Sequence, residues 1–131
     1  MTGETNLSTL IRQMQPQLNE GIYVFCSVSE DYNIPVHEVL SSFWEKEGLS
    51  LLLSKPVADR YQIPYTFEAS WITLNIHSAL EAVGLTAAVA TALTKSDISC
   101  NIVAAYYHDH IFVEKTQAEE ALEVLEALSR Q

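Results

Sequence analysis

The sequence predicts an α+β protein built from ferredoxin-like halves, and three observations carry that expectation. The second half reads as strand, helix, strand, strand, helix, which is a ferredoxin-like unit lacking its last strand. A sheet left in that state has an open edge that must be covered or paired. The first half carries surplus strands and a helix in front of them, so it is the obvious donor. The expected architecture is an N-terminal helix and two modules, 1–66 and 67–131, that share a sheet or exchange a strand. The first module is expected to be the more degenerate.

Taken in order, Leu7, Leu10, Ile11 and Met14 fall on one helical face, with Asn6 as a cap and Pro16 as a stop. Ile22 to Val28 is rich in β-formers and reads as a strand, and an acidic loop from Ser29 to Asn33 follows, closed by Ile34-Pro35. A short helix over 36–40 leads to a hairpin around Gly48, and Leu49 to Ser54 is a buried strand. Pro56 suits the first turn of another short helix ending near Gln62. Glu68 to His77 alternates, with Trp71, Thr73 and Asn75 on one face and Ile72, Leu74 and Ile76 on the other. Ser78 to Gly84 is a loop, and the alanine-rich Leu85 to Lys95 is a helix. Cys100 to Tyr107 is a strand, His108-Asp109-His110 a turn, and Ile111 to Glu114 the returning strand. The last helix presents Ala118, Ala121, Leu122, Leu125 and Leu128 on one face, with Thr116 and Glu119 spaced as a capping box.

The charge balance narrows the function. There are 17 acidic residues against 7 Lys plus Arg, a formal net charge of −10, and the cations are scattered singly. A phosphate backbone is bound through clustered cations that displace counterions, so nucleic acid and anionic membrane surfaces are not expected partners. No apolar run approaches the ~20 residues that span a bilayer, and the N-terminus lacks a signal-peptide pattern. Cys26 and Cys100 sit singly in apolar stretches, the pattern of reduced thiols in a cytoplasmic protein rather than of a disulfide scaffold.

Against this background one segment stands out. Glu81-Ala82-Val83-Gly84-Leu85-Thr86-Ala87-Ala88-Val89 resembles the loop-to-helix signature of ACT domains, where an acidic residue and a glycine precede an apolar helix after the first strand. Asp97-Ile98-Ser99-Cys100-Asn101-Ile102 is similar to that family's entry into its second strand. The resemblance covers residues 68 to 130, and more loosely the whole chain resembles small stand-alone bacterial tandem-ACT proteins and the paired regulatory domains of aspartate kinases. Val83 stands where the family often has proline, and Ile34-Pro35 replaces the glycine loop in the first half. The resemblance implies a regulatory module that binds a small metabolite, an amino acid being the first candidate. It also implies assembly as a homodimer or higher oligomer and control of an enzyme or transporter. The implied site residues are His77, Ser78, Glu81, Gly84, Leu85 and Thr86. Gly84 leaves the backbone open to a ligand, and the free N–H groups at the following helix start favour a carboxylate. The plain structural alternative is that Gly84 only lets the chain enter a tightly packed helix.

No catalytic residue, metal or cofactor is expected. His108 and His110 share a side only if the strand runs through Asp109, and His77 would be a third ligand. A thiol nucleophile needs a base and an orienting group, whereas both cysteines fall in apolar strands. A ligand-free interaction module and a small metal-dependent enzyme are the competing functions. Tyr65, Phe67, Trp71, Tyr106 and Tyr107 fall on predicted strands, where packing or a subunit interface accounts for them.

Overall fold

The structure is a computed structural model that describes residues 6–77, Ala79 and 82–131. The chain divides into two compact units, one formed by Met1–Glu20 with Ser70–Gln131, the other by Gly21–Ala69. Residues 6–20 are grouped with 70–131 in the first of these units.

In the discontinuous unit, helix α1 (Leu7–Gln13) opens under the Asn6 cap, whose Oδ1 accepts the Thr9 N–H at 3.0 Å. Strand β1 (Pro16–Leu18) follows and pairs antiparallel with β5 (Glu68–Leu74), Pro16 opposite Leu74 and Leu18 opposite Ile72. Helix α3 (Leu85–Lys95), strands β6 (Cys100–Ala104) and β7 (Asp109–Glu114) and helix α4 (Ala118–Ser129) complete it. The strand order β1-β5-β7-β6 is the ferredoxin-like order, with β1 in the place of the last strand. Alternation on the sheet sends Ile72, Leu74, Ile111 and Val113 to the helices, where they pack with Leu10, Val89, Leu93 and Leu125. Each such side chain contributes about 1.5–3 kcal/mol by leaving water. The opposite face carries Trp71, Thr73, His110 and Phe112, and the Trp71 and Phe112 rings stack at 6.1 Å.

The continuous unit repeats the order on a smaller scale. Strand β2 (Tyr23–Val28) lies between β4 (Gly48–Ser54) and the first residues of β5, with Tyr23 opposite Ala69, and β3 (Ser41–Glu45) pairs β4 on its far side. Helix α2 (Lys55–Arg60) starts with Pro56 in its first turn. Its core is Val24, Cys26, Ile34, Leu49, Leu51, Leu53 and Ala58. The helix expected over 36–40 is a single 3-10 turn, Val36–Glu38, because Pro35 and the β-branched Val36 and Val39 support no longer one. Gly48 is required where β4 begins: a Cβ there would stand 2.9 Å from the Val28 carbonyl oxygen.

Three local expectations are corrected. Strand β5 ends at Leu74, not His77. The tight turn lies at Tyr106-Tyr107, where the Ala105 N–H donates to the His108 carbonyl at 3.0 Å, so His108-Asp109-His110 leads into and begins β7 instead of turning the chain. The last helix is entered through a 3-10 turn capped by the Glu114 carboxylate, which accepts the Thr116 N–H at 2.7 Å and its hydroxyl. That replaces the Thr116/Glu119 capping box.

Candidate functional site

The predicted loop follows β5. Ser78 and Glu81 lie outside the described residues. Gly84 takes φ 101° and ψ −17°, a left-handed conformation natural only to glycine, and its carbonyl accepts the Ala88 N–H at 2.9 Å to start α3. On the side where a Cβ would point stands Leu7 of α1, its Cδ2 only 3.0 Å from that position. Gly84 thus allows the close approach of α1. It also lines an apolar groove of about 730 Å³ together with Leu7, Ala88, Ala92, Val124 and Leu128. Leu85 is buried in the core, so only its backbone faces the loop, whereas Thr86 is exposed.

His77 is placed elsewhere than Gly84 among its neighbours. Its ring lies 6.2 Å from Tyr106, inclined to it by 30°, and 5.4 Å from Tyr107, and the two tyrosines meet edge to face at 4.9 Å. Both tyrosines are well exposed, at 65% and 61%. The hairpin tip is held beside the loop entry by His108, whose Nδ1 is 3.2 Å from the Ile76 carbonyl. Sequence reading placed this aromatic pair within a strand. The turn lacks the glycine or asparagine that marks a two-residue hairpin, so no signal pointed to it.

The neighbouring histidine is committed differently. The Trp71 indole N–H donates to His110 Nδ1 at 2.9 Å, the Thr73 hydroxyl is 3.1 Å from the same nitrogen, and Asn19 Nδ2 donates to Thr73 Oγ1 at 2.9 Å. Burial, with the nearby His108, holds His110 below the usual imidazole range, partly offset by Asp109, while burial raises the Asp109 carboxyl. His108 and His110 do lie 6.4 Å apart, yet the Nδ1 lone pair of His110 is engaged and Asp109 alternates to the other face. Among the described residues no group of three His, Cys, Asp or Glu is placed to hold a metal. Burial pushes both thiols up, Cys26 and Cys100 alike, which disfavours the thiolate a nucleophile needs.

The continuous unit has its own hollow, about 370 Å³, at the loop after β2. Ser27, Ser29, Tyr32, Asn33 and Gln62 line it. Beside it the Glu38 carboxylate takes the Arg60 guanidinium and the Tyr61 hydroxyl.

Two models of the ACT domain match, over residues 2–70 and 66–127. A solved structure of a Vibrio cholerae protein of unknown function, described as a possible transport protein, shares 42% identity over 94% of this chain and 95% of that one, with a TM-score of 0.81. An Agrobacterium tumefaciens protein matches at 16% identity over 87% of each chain, TM-score 0.66. The regulatory subunit of aspartate kinase from Thermus flavus matches at 8% identity over 86% of this chain and 95% of that one, TM-score 0.58. Comparison with curated proteins finds no match. The chain belongs to the ACT-domain family, as a tandem of two modules, and is of the regulatory, ligand-binding type. No helix among the described residues is long and apolar enough to cross a membrane.

Proposed function

We propose that the protein binds a small metabolite, with an amino acid as the first candidate, and passes its occupancy to an enzyme or transporter as a homodimer or higher oligomer. The loop from Ser78 to Leu85, together with His77 and Thr86, is the proposed site. The observation that supports it most is the exposed wall of Tyr106 and Tyr107 packed on His77 at the loop entry. A ligand carboxylate would take the backbone N–H groups and the Thr86 hydroxyl at the start of α3. An ammonium group would be drawn to Glu81 and to the tyrosine faces. Control of an enzyme is supported by the shared fold with a regulatory subunit of aspartate kinase, and control of a transporter by the description of the Vibrio protein.

A thermal-shift screen of the amino acids tests this reading. A ligand of the folded state at 100 times its Kd adds about 2.7 kcal/mol, which is a rise of several degrees. The shift should be lost in Thr86→Val and Tyr107→Ala, both changes at exposed positions. No shift at millimolar concentration with any amino acid would count heavily against amino-acid sensing.

A second reading, a ligand-free interaction module, is favoured by the packing of Leu7 over Gly84. Native mass spectrometry separates the two: a co-purifying metabolite supports the first, and a bare chain held in stoichiometric complex with one partner supports the second.

A further inference from the structure

We propose that His108 is the positioning residue of the ligand site: its ring N–H holds the exit of β5 so that His77 and the tyrosine pair form one wall. This rests on the site reading above and names a residue that acts through others, without touching the ligand. Strand β5 ends at Leu74. Ile76 has already turned out of the ladder, its N–H donating back to the Leu74 carbonyl at 2.9 Å. Its own carbonyl therefore takes a donor from elsewhere. His108 supplies one at 3.2 Å, from 32 positions further along the chain. A carbonyl only accepts, so the proton of His108 sits on Nδ1. His110 takes the opposite tautomer, because its Nδ1 accepts the Trp71 N–H. The two histidines thus divide the work: His110 ties β7 to β5 itself, and His108 ties it to the segment beyond.

The wall needs such a tether. Tyr106 and Tyr107 turn the chain between β6 and β7 without glycine or asparagine. Both rings are exposed, so little burial fixes them. The turn closes directly on His108, whose carbonyl accepts the Ala105 N–H at 3.0 Å. One residue therefore holds the turn through its backbone and the β5 exit through its side chain. The residue after Ile76 is His77, whose ring stands 6.2 Å from Tyr106 and 5.4 Å from Tyr107. Tethering the Ile76 carbonyl thus sets where the His77 ring comes to rest. A neutral hydrogen bond of this kind shifts an equilibrium by roughly two- to tenfold. Without it the wall is one arrangement among several, and apparent affinity falls with its population.

Nuclear magnetic resonance on the full chain without ligand gives the first measurement. The Nδ1 signal of His108 should be that of a protonated ring nitrogen, and the Nδ1 signal of His110 that of an unprotonated one. An unprotonated Nδ1 at His108 would overturn the proposal. Two variants separate donor from ring: His108→Asn keeps a donor near the same place and drops the ring, and His108→Phe does the reverse. Proton contacts between the His77 ring and those of Tyr106 and Tyr107 should be lost in His108→Phe and kept in His108→Asn. For an amino acid that raises the melting temperature of the unchanged chain, His108→Phe should weaken binding roughly two- to tenfold, and His108→Asn should recover most of that loss. Contacts and affinity kept in both variants, or lost in both, would overturn the proposal. A lower melting temperature in His108→Phe with the ring contacts intact would reduce His108 to a hairpin residue and overturn it too. If no amino acid binds the unchanged chain, the site reading fails on its own, and the ring contacts still decide the role of His108.

Discussion

The indole N–H of Trp71 on β5 donates to Nδ1 of His110 on β7 across 2.9 Å. Indole can only donate, so Nδ1 must carry its lone pair and the ring proton must sit on Nε2. A second proton on His110 would set two donors face to face. Burial and His108 act in the same direction, holding the imidazole below its ordinary value of 6.5, against the opposing pull of Asp109.

The consequence is a pH-dependent stability with a definite sign. Between His110's depressed folded value and 6.5, the unfolded chain binds more protons than the folded one, so stability rises with pH across that window. Its contribution is complete above 6.5 and lost as pH falls toward the folded value. Asp109, raised by burial, works the other way at lower pH, where the folded carboxyl holds its proton. Urea midpoints measured from pH 8 to 5 should fall for the unchanged chain and fall less for His110→Asn. Parallel profiles would remove His110 from the account.

Gly84 supports a second prediction. A side chain at φ 101° costs about 1–2 kcal/mol from left-handed strain, and the added Cβ would also press on Leu7. Gly84→Ala should destabilise by about that amount in urea denaturation. Leu7→Ala combined with it should give less than the sum of the single losses, because the contact is shared. Strict additivity would mean that the backbone alone sets the cost.

The thiols give a third. Burial raises the pKa of Cys26 and Cys100, and the thiolate is the reactive form. Alkylation of the folded chain at neutral pH should be slow for both residues, slower for the more buried Cys26, and rapid for both in denaturant. Rapid modification of either in the native state would reopen the question of a reactive cysteine.

Periodicity made much of this fold legible. The alternation of Trp71 and Thr73 against Ile72 and Leu74 assigned both faces of β5, and the leucine and alanine spacing of α4 assigned its buried stripe. Strand β1 stayed hidden because three residues that begin with Pro16 look like the stop of α1, and only pairing with β5 makes them a strand. The Glu114 cap was missed because that carboxylate takes the Thr116 N–H that a capping box would give to Glu119, and also accepts from the Thr116 hydroxyl. At the proposed site, Gly84 was visible because a left-handed bend demands glycine. Its neighbour Leu7 was not, since periodicity carries no information about which distant helix comes to rest there. Tyr106 and Tyr107 were visible as residues but misplaced as strand, because their turn has none of the usual turn chemistry.

Asn19 tests the polar face of the same sheet. Its backbone N–H and its Nδ2 both donate to the Trp71 carbonyl, at 2.8 and 3.2 Å, and Nδ2 also donates to Thr73 Oγ1. Thr73 is buried, so its hydroxyl has little access to water if Asn19 is removed. Asn19→Ala should therefore cost about 1–3 kcal/mol, the penalty of a buried acceptor left short of a donor. In a Thr73→Val background the same change should cost less, because the acceptor that suffered is gone. Equal costs in both backgrounds would show that Asn19 acts only through its own backbone, and the side-chain chain from Asn19 through Thr73 to His110 would then carry no energy.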